Sequence, residues 1–306
     1  MPGKTAPATA SEVPVLRAAI GTYKHTAALK SGQVASTKLR LDFANVSPVN
    51  RAFAPMVREG RFDVCEMAIA TFLQAKAYGK KLVLLPVTVA ARFQEGALLC
   101  RRGSAIGGPA DLAGRRVGVR AYSQTTGMWL RGVLAEDYGV RPEQVRWVTF
   151  EDAHVAEYRD PPWAERAPSG MELLPMLRAG ELDAVIVGND VPDDPDLRTA
   201  FPDPAKAAEA FWRKHRVVPV NHVVTVRREL AESRPDLVAE LLRMFHDAKA
   251  AVPPAPDGRG ALPMGRAALR PAIGLALRYA TEQGLLPRPV EAEELWDGLP
   301  TGAAAG

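Results

Sequence analysis

The sequence is poor in cysteine. Its 306 residues include Cys65 and Cys100 and no other cysteine, and each lies inside an apolar segment without CxxC spacing. Two isolated cysteines support neither a disulfide framework nor a structural zinc site. We expect both to be buried thiols in a reducing compartment.

The chain also carries little net charge of either sign. Its 39 lysines and arginines against 35 aspartates and glutamates leave a formal charge of +4, and no run of five basic residues occurs. A nucleic-acid-binding surface needs a concentrated basic patch. We therefore expect no nucleic-acid partner.

Long hydrophobic runs are absent from the sequence. No uninterrupted apolar stretch reaches the roughly 18 residues that indicate a membrane-spanning helix. The first 15 residues lack the apolar core of a secretory signal. These absences predict a cytoplasmic protein without a membrane partner.

The common cofactor and metal motifs are missing as well. The sequence has no GxGxxG, Walker A or GxSxG pattern, which disfavours nucleotide cofactors, phosphoryl transfer and an α/β-hydrolase nucleophile. It has no HxH or HExxH spacing, so we predict no metal and no cofactor. A discontinuous site assembled on folding stays open.

What the sequence does contain is an ordinary globular composition, with 47% hydrophobic and 24% charged residues. Short apolar strands alternate with helical segments, an order that predicts an α/β fold with parallel strand pairing. One α/β unit ends near Arg101, a second covers 102–215, and a return strand at 217–226 precedes closing helices. This order predicts two lobes that face a cleft, a frequent place for ligands.

Two segments depart from this alternation. The proline-rich stretches 152–170 and 190–204 lack the periodicity of a helix or strand. Both are predicted to be irregular connections.

A hydroxyl-rich turn is a first candidate binding site. The predicted strand Arg116–Arg120 leads through Ser123 into a helix that begins at Thr125. Unpaired N–H groups and the helix dipole attract anions at such a start, and the hydroxyls of Ser123, Thr125 and Thr126 are available as ligand donors. The alternative is plain N-capping of the helix.

Three further side chains are candidates for acid–base chemistry. Glu66 ends an apolar strand, where a carboxylate in an α/β fold points toward the ligand crevice, although it is equally placed to cap the next helix. His25 follows the first strand and His222 lies in the return strand, so both are placed to reach an interlobe cleft. The alternative for each is a hydrogen-bonded structural histidine. That structural role is predicted for His154, His215 and His246.

Five segments of the chain carry a resemblance to a known family. They are FDVCEM at 62–67, DLAGRRVGV at 111–119, WLRGVLAEDYGV at 129–140, GELDA at 180–184 and PVNH at 219–222. Through them the chain resembles the 4,5-dihydroxyphthalate decarboxylase family over about residues 16–249. That family is itself similar to type II periplasmic binding proteins and ABC-transporter solute-binding proteins.

The resemblance implies a two-lobed type II periplasmic-binding-protein-like α/β fold with a ligand cleft between the lobes. One lobe would comprise 13–99 and 221–299, the other 100–220, and the termini 1–12 and 300–306 would be flexible. The implied ligand is a small aromatic carboxylate, and a homo-oligomer stays open. The positions that match the family's site are Tyr23, Thr26, Glu66, Tyr122, Thr125 and His222; Gln124 and Thr126 lie beside them in the same turn.

Departures from the family pattern concern its cations. Lys24 stands where the family has aspartate, AARFQE at 90–95 replaces Ser-Arg-x-Phe-Arg-His, and Asn189 stands where an arginine is expected. Arginine is the preferred bidentate partner of a carboxylate, and Lys24 and Arg92 compensate in part. We infer a retained fold with an altered substrate, such as a monocarboxylate or a less anionic aromatic.

The resemblance implies a cofactor-free decarboxylation of a hydroxylated aromatic acid. We assign His222 as the proton donor to the ring carbon and Glu66 or His25 as the group that polarises the ring hydroxyl. The expected carboxylate anchors are Ser123, Thr125 and Arg92. Two alternatives share the fold: a non-catalytic binding protein for an anionic solute, and an enzyme of the menaquinone-precursor or thiamine-pyrimidine type.

Overall fold

The computed structural model of the protein describes residues 13–189, 191–253 and 262–301. Of the termini predicted to be flexible, at 1–12 and 300–306, residues 1–12 and 302–306 lie outside the described residues. In the described part, no helix is long and apolar enough to span a membrane.

Strands and helices alternate along most of the described chain. The strands are β1 (Val15–Ala19), β2 (Arg40–Phe43), β3 (Val64–Ala68), β4 (Leu82–Ala91), β5 (Leu98–Arg101), β6 (Arg116–Val119), β7 (Arg146–Thr149), β8 (Ala164–Arg166), β9 (Ala184–Ile186), β10 (Leu197–Thr199) and β11 (Val220–Arg227). The α-helices are α1 (Lys24–Lys30), α2 (Phe53–Glu59), α3 (Ile69–Ala77), α4 (Thr125–Tyr138), α5 (Leu173–Ala179), α6 (Pro204–His215), α7 (Arg228–Ser233), α8 (Pro235–Ala250) and α9 (Arg266–Glu282). Short 3-10 turns lie at Val49–Ala52, Glu95–Ala97, Pro109–Leu112, Pro142–Gln144 and Ala292–Trp296.

The strands form two separate sheets. The first has the order β2-β1-β3-β11-β4 and the second β10-β5-β9-β6-β7-β8. Pairing is parallel among β1, β2 and β3 and among β6, β7, β8 and β9, whereas β11 and β5 run antiparallel to their neighbours. The α/β prediction is confirmed, and the antiparallel strands mark where the chain passes between the sheets.

The chain changes sheet twice. It leaves the first sheet after Ala91 and joins the second at Leu98, and it returns between Thr199 and Val220. Within β5, Leu98 pairs with Ile186 of the second sheet. The lobe boundary expected between residues 99 and 100 therefore lies inside β5. The chain passes from the first lobe to the second before it, between Ala91 and Leu98.

The two segments expected to be irregular each contain a short strand. β8 and β10 have three residues each and lie at opposite edges of the second sheet. Three residues are too few to show a period of two, and both strands exist because a longer neighbour supplies the ladder hydrogen bonds. The prediction of purely irregular segments was wrong at these edges.

The core extends across both sheets. β3 is buried over all five residues, Glu66 included, so the carboxylate of Glu66 requires hydrogen-bond partners. Cys65 and Cys100 are buried free thiols, as predicted.

Helix α9 contacts elements of both lobes. It packs against α3 and β11 on the side of the first sheet and against α4 on the side of the second. A Cβ at Gly132 of α4 would lie 2.2 Å from the Tyr279 ring, so only glycine allows this approach. Tyr279 donates to Glu136 at 2.6 Å, and Arg131 donates to Gln283, just after α9, at 2.8 Å. The C-terminal helix therefore joins the two lobes.

Candidate active site

A cavity of about 720 Å³ lies between the two sheets. Its volume is in the range of sites that hold a small organic ligand. From the side of the first sheet it is lined by Tyr23, Phe53, Ala68, Thr71, Asn221 and His222. From the side of the second sheet it is lined by residues including Arg120, Ser123, Gln124, Thr125, Thr126, His154, Gly188 and Asn189.

Glu66 organises the wall formed by the first sheet. Its side chain is fully buried, and one carboxylate oxygen, Oε1, lies 2.6 Å from both the Tyr23 hydroxyl and Nδ1 of His222. The other oxygen, Oε2, accepts from the backbone N–H of Gly21 at 2.7 Å. Glu66 and His222 meet because β3 and β11 are neighbouring strands, with Glu66 opposite Val224 and His222 opposite Ala68.

These contacts set the charge of Glu66. Burial opposes its ionisation, but the hydrogen bonds from His222, Tyr23 and Gly21 outweigh that effect and lower its pKa. Burial and the neighbouring carboxylate raise the pKa of Tyr23, so its hydroxyl stays protonated. Since an ionised Glu66 only accepts hydrogen bonds, Nδ1 of His222 carries a proton, which leaves Nε2 for the cavity.

The loop around Tyr23 contributes one of its four candidate residues to the cavity. α1 begins at Lys24, which is exposed and does not line the cavity. Thr26 is buried: its hydroxyl accepts from the N–H of Tyr23 at 2.9 Å and donates to the carbonyl of Gly21 at 2.8 Å. Thr26 thus fixes the turn that presents Tyr23.

The structure does not bring His25 to the cavity. Its Nε2 lies 3.0 Å from the carbonyl of Val89, and its ring stacks on Tyr23 with the centroids 5.3 Å apart. Because His25 lies in the first turn of α1, its ring packs behind Tyr23 instead of beside the ligand space. The expected position of His25 in the cleft is corrected accordingly.

The turn between β6 and α4 forms part of the opposite wall. Ser123, Gln124, Thr125 and Thr126 all line the cavity at the N-terminus of α4. The Thr125 hydroxyl accepts from the N–H of Ala70 in the first turn of α3 at 3.2 Å. The N-termini of two helices therefore meet at the cavity, where their dipoles favour an anion.

Tyr122, in the same turn, points away from the cavity into the core of the second lobe. Its hydroxyl accepts from the indole N–H of Trp163 at 2.9 Å, and the guanidinium of Arg131 lies 3.9 Å from its ring centroid. Tyr122 is fully buried. The prediction that it binds substrate was wrong, because its neighbours in the turn face the cavity and it faces inward.

Arg92 lies behind the cavity wall. Its Nε donates to Oδ1 of Asn189 at 3.1 Å and its Nη2 to the carbonyl of Gly188 at 3.1 Å. Asn189 and Gly188 line the cavity, whereas Arg92 does not. The guanidinium expected to anchor a carboxylate is instead bound to the loop after β9, and Asn189 is the residue presented.

Arg120 is a cavity cation that the sequence reasoning missed. It follows the last residue of β6, at the carboxyl end of a parallel strand, where ligands of open α/β sheets bind. Its Nη1 lies 3.4 Å from Oε2 of Glu151. Its position at the end of a predicted strand could have identified Arg120 as a binding residue from the sequence.

His154 is a second missed residue. It was predicted to be structural, but it lines the cavity, with Nδ1 2.7 Å from the hydroxyl of Thr71. The Phe53 ring lies between the two cavity histidines, edge-to-face with His154 at 5.6 Å and with His222 at 5.2 Å. No signal in the irregular segment around His154 indicated this position.

No cluster of three histidine, cysteine or carboxylate side chains suited to a metal ion occurs within the described ranges. The polar side chains that line the cavity include two histidines, several hydroxyls and amides, the guanidinium of Arg120, and the carboxylates of Glu151, Asp152 and Glu172.

The chain is similar in sequence to proteins of known activity. A family model described as NMT1/THI5 like matches residues 39–159. A 4,5-dihydroxyphthalate decarboxylase from Comamonas testosteroni is 30% identical over 254 residues, which cover 77% of this chain and 74% of that protein. A 4,5-dihydroxyphthalate decarboxylase from Pseudomonas putida is 29% identical over 211 residues, which cover 65% of this chain and 81% of that protein.

Among solved structures, the alkanesulfonate-binding protein SsuA from Xanthomonas axonopodis pv. citri bound to MOPS is similar in fold. The TM-score is 0.57 at 16% identity, and the match covers 94% of this chain and 99% of that one. This likeness confirms the predicted two-lobed fold of the periplasmic-binding-protein type.

Proposed function

The chain belongs to the 4,5-dihydroxyphthalate decarboxylase family, and from this premise we propose that it is a carboxy-lyase acting on a hydroxylated aromatic acid. The observation that carries the proposal is the buried Glu66–His222 pair at the cavity. An imidazole held by an ionised carboxylate is a competent proton donor and acceptor at neutral pH.

His222 is the proposed acid. Glu66 fixes the ring through Nδ1 and stabilises the imidazolium, so that Nε2 delivers the proton to the ring carbon that bears the carboxylate. Tyr23 and Gly21 hold Glu66 in place through its two oxygens. Glu66 is therefore a positioning residue, because His222 stands between it and the ligand space.

The proposed reaction replaces the carboxylate of the ring by a proton. A proton moves from Nε2 of His222 to the ring carbon that bears the carboxylate, and a C–H bond forms there. The lone pair of the ring hydroxyl oxygen stabilises the cationic ring of the intermediate. The C–C bond to the carboxylate then breaks, its electron pair restores the aromatic ring, and carbon dioxide leaves. His222 regains a proton from solvent, so one proton is consumed for each carbon dioxide released.

The opposite wall is the proposed carboxylate site. The N-terminus of α4 offers N–H groups and the hydroxyls of Ser123, Thr125 and Thr126, and Arg120 adds a guanidinium that is already in contact with Glu151. Arg120, whose charge is partly neutralised by Glu151, can balance the charge of one substrate carboxylate but not of two. We therefore propose a hydroxylated benzene monocarboxylate as substrate in preference to a phthalate.

Carbon dioxide release by the purified protein tests the proposal. The panel would contain hydroxybenzoates, dihydroxybenzoates and 4,5-dihydroxyphthalate, each with and without divalent metal. We expect release from a monocarboxylate that carries a hydroxyl ortho or para to the carboxylate. Release from 4,5-dihydroxyphthalate alone would overturn the monocarboxylate assignment, and tight binding without any release would overturn the enzyme in favour of a binding protein.

A further inference from the structure

The cavity contains a histidine that the proposed proton transfer does not use. His154 lies across the Phe53 ring from His222, and Nδ1 of its imidazole lies 2.7 Å from the Thr71 hydroxyl of α3. Its Nε2 has no protein partner among the described residues, and the side chain lines the cavity. One ring nitrogen of His154 is therefore left for a ligand.

The surroundings of His154 keep its imidazole uncharged. Burial lowers its pKa to about 4, and the positive charges of Arg120, Arg58 and His222 add to the effect. Arg58 cannot turn away, because its guanidinium donates to the carbonyls of Ala153 and His154 itself at 2.8 and 2.9 Å. At neutral pH His154 is thus a neutral hydrogen-bonding group fixed between a threonine and the cavity.

A neutral imidazole has a definite ligand preference. It lacks the charge that would hold a carboxylate in competition with water. A hydroxyl group both donates and accepts, so it pairs with the free ring nitrogen of His154 in either tautomer. A ring hydroxyl is therefore the substituent that this position fits.

We infer that His154 is a substrate-binding residue that recognises a ring hydroxyl and thereby selects hydroxylated aromatic acids over their unsubstituted analogues. The inference rests on the proposed function, since it takes an aromatic acid as the occupant of the cavity. It assigns to His154 the contact with the hydroxyl that His25, packed behind Tyr23, does not make.

Calorimetric titration of the full chain tests the inference, at a temperature and protein concentration at which carbon dioxide release during the titration is negligible. The ligands are benzoate, 2-, 3- and 4-hydroxybenzoate, and the matching methoxybenzoates. For the wild type we expect at least one hydroxybenzoate to bind about tenfold more tightly than benzoate, a ratio that one hydrogen bond accounts for. The matching methoxybenzoate accepts but does not donate, so it should keep the gain if Nε2 of His154 carries the proton and lose it if Nε2 is the acceptor.

His154→Phe keeps an aromatic ring and removes both nitrogens. We expect this variant to bind benzoate within about threefold of the wild type and to lose the preference for the hydroxylated ligand. His154→Gln, which retains a hydrogen-bonding group, should keep part of the preference and serves as a second variant should the phenylalanine variant fail to fold. His246→Gln, on the exposed side of α8, is the matched control and should retain the full ratio.

Three outcomes would overturn the inference: a wild type that binds none of the ligands, a wild type that binds benzoate and hydroxybenzoates equally, or a phenylalanine variant that keeps the preference. Failure of the proposed reaction gives a different result. A wild type with the hydroxyl preference that depends on His154, but with no carbon dioxide release from any ligand, would leave the recognition in place and remove only the catalysis.

Discussion

The two walls of the cavity differ in how their polar groups are held. On the first sheet, an ionised carboxylate is buried inside β3 and binds a phenol, a backbone N–H and an imidazole at 2.6 to 2.7 Å. On the side of the second sheet, the lining includes hydroxyls at a helix N-terminus, two amides, a neutral imidazole, a guanidinium, and the carboxylates of Glu151, Asp152 and Glu172. In the proposed function, the first wall moves a proton and the second holds the ligand.

The difference has a physical cause. A strand fixes its side chains through neighbours on both sides, and β3 lies between β1 and β11. The ligand-holding wall is built from connections that follow strands, where backbone N–H groups are left unpaired. Changes to the first wall should therefore affect turnover, and changes to the second should affect ligand affinity.

His222→Ala should have the largest effect. Loss of a general acid commonly lowers turnover by about a hundredfold to ten-thousandfold, and we expect about a thousandfold here with ligand affinity within about threefold. Steady-state carbon dioxide release and calorimetric binding measure the two quantities. His246→Ala, on exposed α8, is the control, and equal losses of turnover and affinity in His222→Ala would remove His222 from the chemistry.

Glu66→Gln should lower turnover by about a hundredfold, since the amide cannot stabilise an imidazolium and its NH₂ group replaces an oxygen that accepts from one or two of the three donors. The melting temperature should fall as well, because donors of Tyr23, Gly21 and His222 compete for one oxygen. The exposed Glu59, paired with Arg61, provides Glu59→Gln as the control. Unchanged turnover in Glu66→Gln would contradict the assignment of proton transfer to the first wall.

The neutral His154 predicts a pH dependence of stability. Its folded pKa of about 4 lies below the ordinary value near 6.5, so between these values the unfolded chain takes up a proton that the folded chain refuses. The free energy of unfolding of the wild type should therefore fall relative to that of His154→Gln, by about 3 kcal/mol between pH 7 and pH 4. Urea unfolding at pH 7, 5.5 and 4 measures the difference, and a constant gap would contradict a neutral His154.

Arg120→Gln should give the smallest effect, on the ligand-holding wall. We expect KM to rise about tenfold, with kcat within about twofold, because one charge-assisted hydrogen bond to the carboxylate is lost. Glu151→Gln is the matched variant, since it frees Arg120 from its carboxylate and should lower KM. A fall in kcat in Arg120→Gln without a change in KM would place Arg120 with the proton-transfer wall instead.

The sequence predicted the Glu66–His222 pair of the first wall and the turn at 123–126 of the second. Glu66 and His222 were recognised because a carboxylate at the end of an apolar strand and a histidine in a return strand are local signals. Their joint position depends on the antiparallel pairing of β3 with the return strand β11, which the predicted parallel order did not specify. Their roles stay predictions until turnover is measured.

The second wall depends on contacts that a sequence does not display. His154 meets Thr71 across 83 residues through packing of an irregular segment on α3. Tyr122 and Thr125 lie three residues apart in one tight turn. The turn directs Tyr122 into the core and Thr125 toward the cavity. His25 was expected in the cleft, but it lies in the first turn of α1, where its ring stacks on Tyr23.

The contacts of α9 have a kinetic consequence for ligand exchange. Two lobes that swing apart as rigid bodies would have to separate Tyr279 from Glu136 and Arg131 from Gln283 in the same movement. We therefore expect the hinge opening of a transport receptor to be restrained here, and small molecules to pass through local displacement of the 171–175 segment at the rim. Such a molecule is suited to repeated exchange of small ligands with solvent, and poorly suited to handing a captured cargo to another protein.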